Sequence, residues 1–264
     1  MKYVLEIDNV SKFFHGLVAI DDLTIKVKPG QIYGIIGPNG AGKTTLFNCV
    51  TGIYTPEKGT IKYKGEDITG MQAHKIAQKG VLRTFQNIRL FKDMSVAENI
   101  MAGYHTKSKQ KWYHAIIHTS AYRKDEQKAW KKVDELMEFF NLSHLATTAT
   151  GDLSYGNQRK VEMARALAAN PELLILDEPA AGLNENETIE LTNIIRKISQ
   201  MDIGIMMIEH DMEMVMNLSD YITVINFGKE ISQGKPSFVQ SDPKVIEAYI
   251  GSDDDDEEGE QDDK

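Results

Sequence analysis

The sequence predicts an α/β protein: a mainly parallel sheet covered on both faces by helices, an antiparallel β-rich N-terminal part, and a helical insertion. Three observations lead there. A glycine-rich loop, GPNGAGKT at 37–44, stands between the apolar run QIYGIIG (31–37) and a helix-like stretch, KTTLFNCV (43–50). Two further apolar runs, LLILD (173–177) and IGIMMIE (203–209), alternate with helical stretches, as parallel strands joined by crossover helices do. Between about 72 and 151 the texture changes: the stretch carries aromatics, His and Lys, and its last part is helical. There Ala129, Val133, Leu136, Met137 and Phe140 fall on one helix face at three-to-four spacing.

Each element has its own signal. VLEI (4–7), LTIKV (23–27) and IKYK (61–64) alternate apolar and polar residues, so they read as half-buried strands. VKPG (27–30) is a turn, and the continuous apolar run after it suits a strand buried on both faces. QRKVEMARALAAN (158–170) reads as a helix ended before Pro171, and NETIELTNIIRKISQ (186–200) as another. YITVINFGKEISQG (221–234) reads as a hairpin turning at Gly228. PKVIEAYIG (243–251) is a short final helix, with Pro243 in its first turn and Gly251 past its end.

Bulk properties exclude several classes. The 264 residues suit one large domain, here 1–251, followed by a tail at 252–264. No apolar run reaches membrane-spanning length, and MKYVLEIDNV lacks the apolar stretch of a signal peptide. One cysteine, Cys49, excludes an internal disulfide and a cysteine-rich metal site. Of 39 acidic and 30 basic residues, nine and one lie at 253–264, so the body is near neutral at 30 against 29. The tail has nothing apolar to bury and reads as a disordered, solvated end, with divalent-ion or partner binding as the alternative. The methionines at 206, 207, 212, 214 and 216 read as core and interface packing rather than a metal box.

The chemistry starts in the glycine loop. Gly37, Gly42, Lys43 and Thr44 occupy the fixed positions of G-x-x-x-x-G-K-[ST], the mark of a P-loop NTPase core. Phosphate oxygens need many donors at close range. A loop of Gly37, Pro38, Asn39, Gly40, Ala41 and Gly42 can curl its N–H groups inward, and the helix behind it adds a positive end. Lys43 reaches the β- and γ-phosphates of ATP, Thr44 ligates Mg²⁺, and Thr45 supports the helix N-terminus. Asp177 ends the apolar strand where ligands bind in open α/β sheets, placing it to hold Mg²⁺. Glu178 can point elsewhere and act as general base on a water; a surface turn before Pro179 is the alternative for this acidic pair. In LSYGNQ (153–158), Ser154 can cap the next helix and Gly156 permits close backbone approach. That makes a second phosphate device, and a second device suggests two copies sharing ATP.

The order GPNGAGKT, Gln86, LSYGNQ, LLILDEP, AGLN and His210 resembles the ATP-binding subunit of ABC transporters over about residues 4–251. The resemblance implies an ATPase with a helical subdomain at about 87–157. It places Phe14 where an aromatic stacks on adenine, with Phe13 as the competing choice. It makes Gln86 a contact to Mg²⁺ and water, and Ser154 and Gly156 the loop that binds the opposite subunit's γ-phosphate. His210, otherwise read as a packing or surface histidine, becomes the contact to γ-phosphate. Two motifs depart from the commoner pattern: Tyr155 and Asn157 alter the signature, and Asn184 stands where Asp is commoner.

RTFQNIRLFKDMSVAENI (83–100), EPAAGLN and the insert at 104–130 look like the ATPases of branched-chain amino acid importers. Urea or short-amide importers and non-transport ABC ATPases are the alternatives. The resemblance implies ATP and Mg²⁺, a homodimer or heterodimer of related ATPases, two permease subunits and an extracytoplasmic binding protein. It implies peripheral attachment to the cytoplasmic face of the inner or plasma membrane, and no nucleic acid partner. The insert interleaves Lys107, Lys109, Lys111, Trp112, Tyr113, His114, His118, Tyr122 and Arg123. It reads as a helical elaboration with a solvated face, or as a docking surface for permease or lipid.

Overall fold

Alternating apolar runs become strands here because two cores, one on each side of a sheet, have to be filled. The computed structural model describes residues 2–105 and 120–249, without the side chains of 120–124. The insert side chains named above and the acidic tail lie outside the described residues. In chain order, β1 (Leu5–Phe14) and β2 (Leu17–Val27) form a hairpin, and β3 (Ile32–Ile36) leads into α1 (Lys43–Val50). Then come β4 (Lys58–Tyr63), β5 (Glu66–Asp67), α2 (Ala73–Lys79), β6 (Val81–Arg83), α3 (Val96–His105), α4 (Ser120–Phe139) and α5 (Tyr155–Ala168). The chain continues with β7 (Leu173–Asp177), α6 (Glu185–Ser199), β8 (Gly204–Ile208), α7 (Met212–Leu218), β9 (Tyr221–Asn226), β10 (Lys229–Gly234) and α8 (Pro236–Val239). A last helix, α9, covers 243–249.

The smaller sheet is antiparallel, in the order β2-β1-β4-β5. The larger has the order β10-β9-β3-β8-β7-β6, parallel from β9 to β6, with β10 as an antiparallel edge. Successive residues of its central strands serve opposite cores. Ile32, Ile36, Leu174, Leu176, Ile205 and Met207 face the helices α3 to α7. Tyr33, Ile35, Leu173, Ile175, Met206 and Ile208 face α1 and the smaller sheet. Both faces are buried, so these strands read as unbroken apolar runs. One polar pair is satisfied inside: the Tyr33 hydroxyl and Thr223 Oγ1 lie 2.8 Å apart.

The amphipathic stretch at 129–140 packs as expected. Ala129, Val133, Leu136, Met137 and Phe140 are all buried, and the last four join the core beneath α3 and α5. Methionines 206, 207 and 214 are buried and 212 and 216 half-buried, in keeping with packing.

The N-terminal strands are longer than their alternation suggested. Asn9 takes φ +51° and Asp22 φ +60°, and the β1–β2 register shifts beside them. Each shift resets which side chains point inward, so burial runs Leu5, Ile7, Val10 rather than every second residue. Asn9 Nδ2 donates to Asp22 Oδ1 at 2.8 Å and ties the two irregularities together. The hairpin turn at Phe227 and Gly228 has φ +46° and +76°, as a tight two-residue turn requires.

Candidate active site

α1 begins without a side-chain cap. Gly42 is its N-cap, in left-handed conformation, and its first turn has no acidic residue. By contrast Ser154, Asn184 and Asp211 cap α5, α6 and α7 with side-chain oxygens. The leading N–H groups of α1 are therefore left for an external acceptor, and the helix dipole favours an anion there. Lys43 is buried beneath the loop, its Nζ donating to Gly37 O at 2.6 Å and Pro38 O at 2.8 Å. Burial lowers the Lys43 pKa, and the negative charge of Glu178 opposes that shift. Thr44 is exposed beside it and Thr45 half-buried.

Two neighbouring elements hold the loop in place. The Gly228 N–H donates to Ala41 O at 3.0 Å, and the Gly228 carbonyl accepts from Asp21 N at 2.8 Å. The β9–β10 turn thus ties β2 to the phosphate loop. Tyr249 of α9 accepts a hydrogen bond from the Gly37 N–H, and burial pushes its phenol up to about 12. At the end of the β1–β2 hairpin, Phe14 is half-buried and packs edge-on against Tyr54, with ring centroids 5.1 Å apart. Phe13 is also half-buried, under Lys58.

Parallel strands β7 and β8 deliver the carboxylates to the same end of the sheet. Asp177 is the last residue of β7, paired with Ile208 of β8. Its carboxylate forms an ion pair with Arg83 from neighbouring β6, whose other guanidinium nitrogen donates to Asn48 Oδ1 at 2.7 Å. Glu178 takes φ +46° while its N–H donates to Ile208 O at 2.9 Å. This left-handed backbone turns Glu178 away from Asp177, a strained geometry of the kind concentrated at functional sites. Glu178 Oε2 accepts from Gln86 Nε2 at 2.6 Å, and Oε1 lies 2.8 Å from His210 Nε2. Gln86, Glu178 and His210 thus meet, although they lie on three separate connections.

Glu209 supports this arrangement from below. It is buried, and it accepts from Ala180 N at 2.7 Å and His210 N at 3.2 Å. Burial raises its pKa, against the pull of those two N–H groups. Among the described residues, no group of three or more His, Cys, Asp or Glu is placed to hold a metal by itself.

A family model described as ABC transporter matches residues 20–181, more than half of the chain. That span takes in the phosphate loop, Gln86, the N-terminus of α5 and Asp177 with Glu178. The chain belongs to the ABC transporter family. A second model, branched-chain amino acid ATP-binding cassette transporter, matches 229–255. The chain is 44% identical over 249 residues to the high-affinity branched-chain amino acid transport ATP-binding protein BraF of Pseudomonas aeruginosa, covering 94% of this chain and 98% of that one. It is 39% identical to LivG of Escherichia coli, a protein of the same description, with the same coverage. A nucleotide-free ATP-binding cassette from an ABC transporter superposes with a TM-score of 0.81 at 33% identity, over 94% of this chain and 99% of that one. This ABC ATPase binds ATP and hydrolyses it to power transport.

Both departures of the ABC ATPase from the commoner pattern have structural roles. The Tyr155 hydroxyl accepts from an Arg159 guanidinium nitrogen at 3.2 Å, and its ring lies against Gly182. Asn184 is the N-cap of α6 in a reciprocal box: its Oδ1 accepts from Glu187 N at 3.0 Å, and Glu187 Oε2 accepts from Asn184 N at 3.1 Å. Ser154 accepts from Asn157 N at 3.4 Å, which leaves its O–H free to donate. A Cβ at Gly156 would lie 2.4 Å from Glu187 Oε1, so the Glu187 side chain would have to shift. Arg83, Arg159 and Glu209 stand inside sequence motifs that by themselves assign them no role. Their site contacts, Arg83 to Asp177, Arg159 to the Phe85 and Gln86 carbonyls and Glu209 to Ala180, reach residues far along the chain, and no local pattern marks those.

Proposed function

We propose that this ATPase drives import of branched-chain or related amino acids, as two protomers that close head to tail over two ATP molecules. The coverage and identity of the BraF and LivG matches support the solute class. Each site would combine Lys43, Thr44, Gln86, Asp177, Glu178 and His210 of one protomer with Ser154 and Gly156 of a second. In the described residues no helix is long and apolar enough to cross a membrane. Permease subunits would carry the solute across, with a binding protein delivering it from outside. The helical insertion at about 87–157 would be the arm that presents Ser154.

The observation that carries this reading is the Glu178 carboxylate, held between Gln86 and His210 at 2.6 and 2.8 Å. Each of its oxygens keeps a second lone pair, so a water can still be bound and deprotonated. ATP phosphates would draw Lys43 Nζ off the Gly37 and Pro38 carbonyls and occupy the uncapped N–H groups of α1. His210 would then face the γ-phosphate, with Phe14 or Phe13 against adenine. The oxygen donors Thr44, Asp177 and Gln86 suit Mg²⁺, a hard cation that takes oxygen ligands, needs only one or two carboxylates beside phosphates and water, and would offset phosphate charge. Asp177 shares its charge with Arg83 until then.

A groove of about 720 Å³ lies beside Gln86, lined by Phe85, Leu90, Phe91 and Ala166 among others. A permease segment seated there at the cytoplasmic membrane face would feel each change at Gln86.

Glu178→Gln tests the reading. Removing a general base costs about 10² to 10⁴ in rate. Phosphate release should fall by at least about 100-fold, while light scattering in ATP shows a longer-lived dimer. Unchanged turnover would remove Glu178 from this role.

A further inference from the structure

Arg159 is among the largest fully buried side chains, with 0% exposure, and it lies in α5 rather than in the phosphate loop. A buried guanidinium is costly unless its donors are used. Two of its nitrogens reach the main chain of the Gln86 loop: Phe85 O at 2.7 Å and Gln86 O at 2.9 Å. One of them also donates to Glu162 Oε2 at 3.0 Å. Glu162 in turn accepts from Arg89 N at 3.4 Å. One turn further on, Arg165 donates to Arg89 O. Residues 159, 162 and 165 recur every three positions, so they share one face of α5. That face holds the backbone from Phe85 to Arg89.

The same helix begins at Ser154 and Gly156, and the same loop ends its Gln86 side chain on Glu178 at 2.6 Å. Apolar residues would be enough to fill this space. Charged groups aimed at main-chain atoms instead set the position of the loop to within hydrogen-bond tolerance. We propose that Arg159, held by Glu162, is a positioning residue that locks the Gln86 loop to α5, so that Gln86 cannot move relative to Glu178 without moving the Ser154–Gly156 end of the helix. The inference rests on the roles given above to Gln86 and Glu178. Physically it couples the two ATP sites through one helix, because a protomer's Gln86 serves its own site and its Ser154 the other.

The test uses the full chain with ATP, and variants Arg159→Met, Arg159→Lys, Arg159→Met/Glu162→Leu, Gln86→Ala and Gln86→Ala/Arg159→Met. A misplacement of about 1 Å can cost about 100-fold in rate. Arg159→Met is therefore expected to lower kcat by about 10- to 100-fold with KM for ATP within about twofold. It also leaves the buried Glu162 carboxylate without its ion-pair partner and lowers Tm; adding Glu162→Leu is expected to restore Tm but not kcat. Arg159→Lys keeps one donor and should recover part of the rate even if Arg159→Met is insoluble. In the Gln86→Ala background, Arg159→Met is expected to change kcat by less than about twofold, since it acts through a side chain already gone. Recovery of kcat together with Tm in the double replacement would reduce Arg159 to a stability role and overturn the proposal. So would rate losses that multiply in the Gln86→Ala background. Normal turnover of Glu178→Gln would instead refute the site assignment beneath it, so the two failures are distinct.

Discussion

Replacing Gly37 with alanine puts a methyl group where the sheet leaves no room. Its Cβ would lie 1.9 Å from Ile225 O, whereas real Cβ atoms stay beyond 3.0 Å, so something must move by at least 1.1 Å. Ile225 is held in β9, which is paired on both sides by β3 and β10. The phosphate loop is the part that yields. Gly37 also has φ +150°, which side-chain-bearing residues avoid. Such backbone strain costs about 1–3 kcal/mol. The overlap adds about 1–3 kcal/mol more, as for other overpacked sites. Urea unfolding should therefore show a loss of roughly 2–6 kcal/mol. A shift of about 1 Å in the loop should also cut ATP turnover by about 100-fold. Gly65→Ala is the control: φ is +79° there, with nothing within 4 Å. It should cost about 1–2 kcal/mol and leave turnover unchanged. If Gly37→Ala is no worse than Gly65→Ala in both assays, the close-approach argument is wrong.

The cap of α6 and the carboxyl beneath His210 give two further tests. Asn184→Ala removes half of the reciprocal cap and should cost about 1 kcal/mol in urea unfolding, whereas Asn184→Asp keeps the acceptor and should stay within about 0.5 kcal/mol; equal losses would exclude capping as the role of Asn184. Burial raises the Glu209 pKa above its ordinary 4.5, so its contribution to stability is full below that value and is lost as pH rises through the folded pKa. Glu209→Gln cannot ionise, so its thermal midpoint relative to the unmodified chain should rise between pH 4.5 and neutrality. A fall over that window would show that the two N–H groups outweigh burial.

Local chemistry determined a large part of this protein. The phosphate loop, the strands at 173–177 and 204–208 and the helix faces at 129–140 and 185–199 are written in residues a few positions apart. A glycine loop, an apolar run or a three-to-four spacing acts over that range and needs no partner to be read. The alternation at 4–7 stopped being legible at Asn9, because a bulge there changes which residues face inward. Strand β6 and helices α2, α3, α7 and α8 are short or weakly patterned, and it was packing against the sheet and core that established them.

Tertiary structure alone decided the wiring of the site. The strand order β9-β3-β8-β7-β6 sets the ends of β3, β7 and β8 side by side, and so gathers Lys43, Asp177, Glu178 and His210. Arg83 meets Asp177 across 94 positions of chain, and Gln86 meets Glu178 across 92. Arg159 clasps the Gln86 loop from 73 positions away. No pattern in the intervening residues encodes such pairs. They form because the sheet buries both of its faces, and its strand order brings these side chains to one end of it.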